Sequence, residues 1–253
     1  RAPHGAREWA LYSYVEHVDG REAAQAVAAA AGSQVGFLVR TMARLHSLGL
    51  AGRDTAPLSR FESWREHVEY LASLAAEAGG EAPRAVEAAL ASLELHAVPE
   101  LAPALLHLDW HLGNALVDGA GRLRALVDWE FAGVADPRLD VARLCRRERW
   151  TGDVVCRDRG SDRDTAKIWS EYCTARFGEG ADPMLMLGPP EPWLALECVV
   201  VLVTCAAVCK RVHQGQQQQQ VGNDAAEIPR CGLVEWIEDM ETAKWHLRRM
   251  GLL

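Results

Sequence analysis

Three short apolar runs, separated by polar and turn residues, set residues 104–127 apart from the rest of the chain. The runs are Ala104–Leu108, Ala115–Val117 and Leu123–Val127. Between the second and the third lies Asp118-Gly119-Ala120-Gly121, a sequence typical of a tight turn between paired strands. We therefore expect a small β region that contains a hairpin, with the rest of the fold built from other elements.

Elsewhere the apolar residues recur at helical spacing. From about Ala23 to Leu48 they lie three and four positions apart, on one face of a helix that Gly49 and Gly52 would end. The aromatic and β-branched segment 9–18 predicts a strand that ends at a turn. Further helices are predicted over 57–77, 83–95, 138–150, 164–177, 191–213 and 232–249. The predicted fold class is therefore α+β and mostly helical.

The charge balance limits the kinds of partner. The chain has 253 residues, with 27 Lys+Arg against 35 Asp+Glu and a net charge of −8, which argues against a general nucleic-acid binder. This length corresponds to one or two domains. The most apolar window, 193–209, is interrupted by Glu197 and is short for a membrane span. We therefore expect a buried core helix there and no membrane partner.

Two compositional features concern location and surface. The seven cysteines include no CxxC pair, which favours free thiols in a reducing compartment, so we expect a cytoplasmic protein. Residues 214–223 contain a run of five glutamines with flanking glycine and have no apolar face. This composition predicts a mobile surface loop between the last two helices.

Oxygen-bearing side chains flank the predicted hairpin. Asn114 directly precedes its first strand, Asp128 directly follows its second, and Asp109 lies in the loop that leads into it. Pairing of the strands would bring these three side chains together at the open end of the hairpin. Two carboxylates and an amide without His or Cys suit Mg²⁺, which is often completed by phosphate oxygens, and a further carboxylate could accept a proton. The combination indicates phosphoryl transfer.

The same residues carry a family resemblance. The segment His107-Leu108-Asp109-Trp110-His111-Leu112-Gly113-Asn114 is similar to the H-x-D-x-x-x-x-N catalytic loop of the protein-kinase-like fold, and Leu126-Val127-Asp128-Trp129-Glu130 occupies the place of its metal-binding motif. Together with Asp136-Pro137-Arg138-Leu139-Asp140, they resemble the aminoglycoside phosphotransferase and choline kinase branch. Leu45-His46-Ser47 resembles the end of its long helix, and 12–20 resembles its hinge. The resemblance is clear over residues 9–144 and weaker beyond.

The resemblance implies ATP and Mg²⁺ as cofactors and gives the central residues roles. Asp109 would be the catalytic base that accepts the proton of a substrate hydroxyl. Asn114 and Asp128 would hold Mg²⁺, and the closeness of two carboxylates would favour a divalent cation. The hinge would bind adenine through backbone groups near three residues, Glu16, His17 and Val18.

Five neighbouring residues have weaker signals. His107 is expected to brace the catalytic loop by hydrogen bonds. His111 could touch phosphate or substrate or cap the loop, and Glu130 could contact the acceptor or support the site. Structural roles are expected for Asp136, as an N-cap before Pro137, and for Asp140, in the first helical turn.

Two departures from the family pattern bear on organisation. Leu108 stands where the branch usually has glycine, and we expect little effect. The glycine-rich loop, lysine and glutamate of the family's N-terminal lobe are not found before Arg1. Residues 1–20 are therefore interpreted as the end of that lobe and the hinge, and 21–253 as the C-terminal lobe. A fragment of a longer protein is favoured over a gene that lost its first lobe, and the chain alone should be poorly active.

Several alternatives stay open from sequence. A non-catalytic pseudokinase or binding module is one, and a metal-dependent hydrolase using the same acidic patch is a weaker one. The acceptor is a small molecule, with aminoglycosides, choline or ethanolamine, amino-acid alcohols, sugars and macrolides all compatible. Trp110, Trp129 and Trp150 could line a pocket for a cationic acceptor, although core packing is the favoured interpretation. The sequence does not indicate an oligomeric state.

Overall fold

The computed structural model describes residues 15–18, 20–50, 55, 58–150, 162–219, 241 and 243–253. Its helices are α1 (Gly20–Ala31), α2 (Gln34–His46), α3 (Trp64–Ala78), α4 (Ala82–Leu95), α5 (Arg138–Trp150), α6 (Asp162–Phe177), α7 (Pro183–Met186) and α8 (Glu191–Gln219). Its strands are β1 (Ser59–Arg60), β2 (Ala104–Leu106), β3 (Ala115–Val117), β4 (Leu123–Leu126) and β5 (Gly133–Ala135). Residues 243–249 are also helical. The predicted helix-rich α+β class is confirmed.

The single helix predicted from Ala23 to Leu48 is wrong, because two helices occupy the segment. The axes of α1 and α2 are bent by 77° at the break between them. Gly32 adopts a left-handed φ of 76°, and the Ser33 side chain caps α2 by accepting a hydrogen bond from the Gly36 N–H at 2.9 Å. The helical spacing of apolar residues continues across the break, so the sequence pattern did not indicate that the helix is interrupted.

The helix predicted over 57–77 begins later, at Trp64. The Ser63 side chain accepts a hydrogen bond from the Glu66 N–H, and the Glu66 carboxylate accepts one from the Glu62 N–H. This pair of caps fixes the start of α3 and leaves the preceding residues extended. Ser59–Arg60 forms β1 instead, a strand that the sequence did not predict.

The strands form two small sheets. Strands β3 and β4 pair antiparallel through the predicted turn, with Ala115 opposite Leu126. The second sheet has the order β1-β5-β2, in which β1 is parallel and β2 antiparallel to β5. Gly121, at a φ of 72°, lies so close to α1 that a Cβ there would be 2.4 Å from the Ala26 carbonyl oxygen. The hairpin turn therefore packs directly against α1.

Helix α8 is the central helix of the described core and packs against α3, α4 and α5. The segment Glu191–Lys210 is long and apolar enough to cross a membrane, but 67% of its most apolar window is buried inside the chain. This burial supports the core-helix interpretation. The helix continues to Gln219, so the loop predicted for 214–223 is wrong through Gln219, while 220–223 lie outside the described residues. Glutamine is a good helix former, which permits this extension.

Two other predictions fall partly outside the described residues. Of the strand predicted over 9–18, only 15–18 are described, and Val18 forms an isolated antiparallel bridge to Val117. Of the helix predicted over 232–249, only 241 and 243–249 are described, and these are helical. Cys173 and Cys209 are free thiols, and two of the seven cysteines, Cys156 and Cys231, lie outside the described residues.

A buried histidine on α3 makes the stability of the fold sensitive to acid. His67 is 7% exposed and stacks on Phe61 at a ring-centroid distance of 4.4 Å. Burial lowers the pKa of His67 to about 4 from its usual 6.5. At pH values between about 4 and 6.5, the unfolded chain therefore binds a proton at His67 more readily than the folded chain does.

We expect the free energy of unfolding to fall as the pH drops from about 6.5 to about 4, with a contribution from His67 of about 3 kcal/mol. Above pH 6.5 this contribution is fully present. Urea unfolding across this range, compared with His67→Phe, measures it. A variant with the same pH dependence as the parent chain would contradict the assignment.

Candidate active site

Asp109 and Asn114 are in direct contact. The Asn114 Nδ2 donates hydrogen bonds to the Asp109 Oδ2 at 2.7 Å and to the Asp109 carbonyl oxygen at 3.0 Å. Both residues are buried, with exposures of 6% and 7%. A 3₁₀ turn over Leu112–Asn114 places the amide there. Because Nδ2 points at Asp109, the amide oxygen Oδ1 is the Asn114 atom that would face a cation.

Asp128 lies at the same end of the hairpin, as its position in the sequence predicts. The Val127 N–H donates to the Asn114 carbonyl oxygen at 3.0 Å, so the residue before Asp128 pairs with Asn114. Asp128 is exposed and has a φ of 65°, in the left-handed region that aspartate tolerates better than most residues. The fold therefore places the three predicted residues around one end of β3 and β4.

The chemistry of this donor set fits Mg²⁺ better than a softer metal. Two carboxylates and an amide oxygen are hard ligands, and Mg²⁺ commonly takes one or two carboxylates plus phosphate oxygens and water. Within the described part of the chain, no three His, Cys, Asp or Glu side chains form a cluster that could hold a metal. The hydrolase alternative, which would use a denser cluster, gains no support from these residues.

His111 faces the predicted base. Its Nε2 lies 3.4 Å from the Asp109 Oδ2, and its side chain is 39% exposed. A Cβ on Gly113 would lie 2.9 Å from the His111 Nδ1, so the glycine makes room for this imidazole. Gly113 belongs to the sequence motif, but the spacing of the motif did not indicate a role for this glycine.

His107 ties the loop to the hairpin. Its Nε2–H donates to the Val127 carbonyl oxygen at 2.9 Å, immediately before Asp128. The ring packs between Trp110 and Trp129, with centroid distances of 5.5 and 4.6 Å. Trp110 is only 2% exposed and belongs to the core, whereas Trp129 is 37% exposed. The side chain of the third predicted tryptophan, at position 150, lies outside the described residues.

Asp140 holds the loop from the other side and does more than begin a helix. Its carboxylate is fully buried and accepts hydrogen bonds from the His107 N–H at 3.0 Å and the Leu108 N–H at 2.8 Å. It also accepts one from the His46 Nε2–H at 3.0 Å. The Tyr172 hydroxyl, whose pKa is raised by burial, donates to the His46 Nδ1 at 2.8 Å. This network therefore links α5 to the catalytic loop and to α2 directly, and to α6 through His46.

The contact with Leu108 bears on a departure from the family pattern. Leu108 has a φ of 58°, the left-handed conformation that favours glycine. A leucine there costs about 1–2 kcal/mol of backbone strain. The expectation of little effect is therefore wrong for the backbone, and the hydrogen bond to Asp140 offsets part of this cost.

Substitutions in this network should reduce stability in a graded way. In Asp140→Asn, the new side-chain NH₂ group would face one of the buried N–H groups that now donate to the carboxylate. This change should lower the free energy of unfolding by about 3 kcal/mol. Tyr172→Phe removes only the outermost hydrogen bond and should cost about 1 kcal/mol. Urea unfolding at neutral pH measures both. Equal losses in the two variants would show that Asp140 does not have the central position in the network.

Asp136 begins the next helix and binds an arginine that the sequence did not single out. Its Oδ1 accepts hydrogen bonds from the backbone N–H and the Nε–H of Arg138, and its Oδ2 accepts one from Nη2 at 2.6 Å. Arg138 is fully buried, donates to the Leu187 carbonyl oxygen, and lies 3.9 Å from the centre of the Trp193 ring. Asp136 therefore caps α5 and anchors it to the start of α8.

The predicted hinge residues lie beside the hairpin. The Val18 N–H donates to the Val117 carbonyl oxygen at 2.9 Å, which occupies that donor. The His17 Nδ1–H donates to the Val15 carbonyl oxygen at 2.7 Å. Glu16 is exposed. Adenine would have to bind backbone groups other than the Val18 N–H and the Val15 carbonyl, which already form these hydrogen bonds. This part of the site stays a prediction.

Comparison with known families points to one group of enzymes. The family described as phosphotransferase enzyme family matches residues 2–180. No curated protein matches the chain.

Solved structures give a similar fold at low sequence identity. A protein from Ralstonia eutropha, provisionally assigned as an aminoglycoside phosphotransferase, is 14% identical with a TM-score of 0.58, over 92% of this chain and 68% of its own. A type I macrolide 2′-phosphotransferase is 17% identical (TM-score 0.49) over 77% of this chain and 60% of its own. A choline/ethanolamine kinase family protein from Mesorhizobium loti is 18% identical (TM-score 0.48) over 88% and 65%, respectively. The chain thus spans about two thirds of the length of these proteins.

Proposed function

The chain belongs to the phosphotransferase enzyme family, and from this premise we propose that it supplies the catalytic lobe of an ATP- and Mg²⁺-dependent kinase that phosphorylates a hydroxyl of a small molecule. The observation that carries the proposal is the buried Asp109–Asn114 pair, which lies at the hairpin end beside Asp128. In this proposal residues 21–253 are the C-terminal lobe, and 1–20 are the end of the N-terminal lobe and the hinge. The location is cytoplasmic.

Asp109 is the proposed catalytic base. Its carboxylate accepts the proton of the acceptor hydroxyl and orients that oxygen for attack on the terminal phosphate. The hydrogen bond from Asn114 fixes the carboxylate of Asp109. The two hydrogen bonds that the His107 and Leu108 N–H groups donate to Asp140 fix the backbone that carries it. Positioning of this kind supplies much of the rate in phosphoryl transfer.

Asn114 and Asp128 are the proposed Mg²⁺ ligands. The ion, when bound, neutralises charge on the phosphate oxygens and orients them. The hairpin pairing holds the two ligands in fixed register, because Asn114 and the residue before Asp128 share a backbone hydrogen bond. His107 adds a second link between the catalytic loop and this strand end.

The remaining predicted residues surround this centre. His111 would contact phosphate or acceptor from its position beside Asp109, and exposed Glu130 would meet the acceptor. Adenine would bind backbone groups around Glu16, His17 and Val18. An acceptor with a cationic group would be compatible with the acidic net charge of −8.

The test is ADP release by the full-length gene product in the presence of MgATP and a panel of small alcohols. Release that depends on both Mg²⁺ and an acceptor supports the proposal. Nucleotide binding without turnover for any alcohol would favour the non-catalytic binding module instead. Robust turnover by residues 1–253 alone would contradict the assignment of this chain to a single lobe.

A further inference from the structure

A cavity of about 400 Å³ opens beside the catalytic loop. Its wall contains Leu106 and Leu108 from the loop side, and residues 130–135 from the segment that follows Asp128. Helices α3 and α8 form the opposite side. This volume is in the range that holds a small organic molecule. A molecule in the cavity would lie next to both segments that carry the proposed catalytic residues.

The wall is mostly apolar. Aromatic side chains contribute from three segments (Phe61, Tyr70 and Phe131), and α8 contributes Val200, Val201 and Val208. Phe131 and Tyr70 are 43% and 45% exposed, which is high for large apolar side chains. Such a surface favours a ligand with an apolar ring system, since its burial removes apolar area from water on both sides.

The charged groups at the inner wall disfavour a polycation. The Arg143 Nη1 donates to the Glu197 Oε1 at 2.9 Å, and the Arg146 side chain pairs with the Glu197 Oε2. The Glu197 carboxylate is therefore engaged by two guanidinium groups and is not available to pair with a cationic ligand. The remaining acidic side chain of the described wall is Glu130, which is exposed at the surface.

The wall also contains a buried histidine, His67. The Nδ1 of His67 is buried and makes no hydrogen bond within the described part of the chain. His67 is only 7% exposed, and it is neutral at neutral pH because burial depresses its pKa. A buried polar atom without a partner is costly, and a ligand hydroxyl or carbonyl would satisfy it.

We propose that this cavity binds the acceptor, and that the acceptor is an alcohol with an apolar ring body and a second polar group that hydrogen-bonds to His67. The proposal rests on the proposed phosphotransferase function. The transferable hydroxyl faces Asp109 past Leu108, the ring body lies against the aromatic and valine side chains, and the second polar group reaches His67. A polycationic aminosugar does not match this wall.

Two fluorescent probes and one aminosugar test the ligand class without any need for catalysis. Naphthalene-ethanol has the ring body and one alcohol, and its analogue with a phenolic hydroxyl on the far ring adds the second polar group. Neamine is the polycationic aminosugar. We expect the full-length gene product to bind the phenolic probe about fivefold more tightly than naphthalene-ethanol, as one additional buried hydrogen bond provides, and to bind neamine much more weakly than either.

Three variants locate the binding. Thr204→Phe fills the cavity from α8 and should weaken both naphthalene probes about tenfold or more. Thr174→Phe makes the same change at an exposed position of α6 outside the cavity and should leave binding unchanged. His67→Phe keeps the ring stack and should erase the preference for the phenolic probe while retaining affinity for naphthalene-ethanol. A purely structural role of His67 would leave the preference intact.

Each outcome decides the proposal. Tight neamine binding that Thr204→Phe abolishes, or naphthalene binding that Thr204→Phe does not alter, would overturn it. Absence of naphthalene binding would overturn it as well. Probe binding with the expected pattern, in a protein that releases no ADP with any alcohol, would support the ligand class and overturn the phosphotransferase function alone.

Discussion

Asparagine in place of Asp109 should lower ADP release by the full-length gene product about a thousandfold, because the variant loses the carboxylate that accepts the hydroxyl proton. The contact with Asn114 can persist, since the new amide oxygen accepts the same hydrogen bond from Nδ2. MgATP affinity should therefore stay within about twofold. Steady-state turnover with the best acceptor, together with nucleotide binding by calorimetry, measures the two effects separately. Asp109→Ala should lose turnover to a similar extent.

Asp118→Asn is the matched control for this experiment. Asp118 lies in the turn of the same hairpin and bonds to Arg122 at the surface. The substitution removes one carboxylate close to the site in sequence but on the far end of β3 and β4, so turnover should be unchanged. Normal turnover in Asp109→Asn would remove Asp109 from the role of base and would favour a different proton acceptor.

The hairpin was predictable because its information is local. The turn residues, the two apolar runs and the polar residues at their ends lie within about twenty residues of one another, and strand pairing then fixes which ends meet. The placement of Asn114 beside Asp128 follows from that register. The chemistry inferred from residue types thus needed no tertiary information.

The second sheet was not predictable from the same patterns. Strands β1 and β5 have two and three residues, too short to show alternation, and Ser59 pairs with Gly133 across more than seventy positions of sequence. The cavity depends on the same distant pairing, because its wall joins β5, α3 and α8. Only the packed fold brings these segments together.

The sequence motif predicted where Asp140 lies, but it did not predict which residues its carboxylate contacts. Its place in the first turn of α5 predicted a favourable interaction with the helix dipole. The larger effect arises from α2, where His46 reaches the same carboxylate, and from α6, which provides Tyr172. Apolar periodicity predicts a buried helix face near His46, but it does not identify the carboxylate that His46 contacts.

The same limit applies to Leu108. Residue identity indicated a departure from glycine, but its consequence depends on a backbone angle that sequence patterns do not report. In the folded chain the left-handed conformation places Leu108 in the cavity wall and its N–H on Asp140. The strained residue therefore lies between the proposed base and the proposed acceptor site, where strain is commonly found in functional proteins.

Asp128→Asn should weaken MgATP binding itself, unlike substitution of Asp109. Asparagine accepts the left-handed φ of 65° at this position, so the change removes charge without additional backbone strain. Loss of a charged ligand should cost about 2–3 kcal/mol, or about 30- to 150-fold in the dissociation constant. The Mg²⁺ concentration needed for half-maximal turnover should rise together with the dissociation constant of MgATP.

Titration of nucleotide binding at several Mg²⁺ concentrations measures this effect. In the absence of Mg²⁺, the variant should bind ATP at least as well as the parent protein, because a carboxylate repels the phosphates when no cation lies between them. This reversal of sign separates a metal ligand from a residue that merely supports the fold, whose loss would weaken binding under both conditions. An unchanged Mg²⁺ dependence in Asp128→Asn would remove Asp128 from the metal site and leave the hairpin end with a single proposed ligand, Asn114.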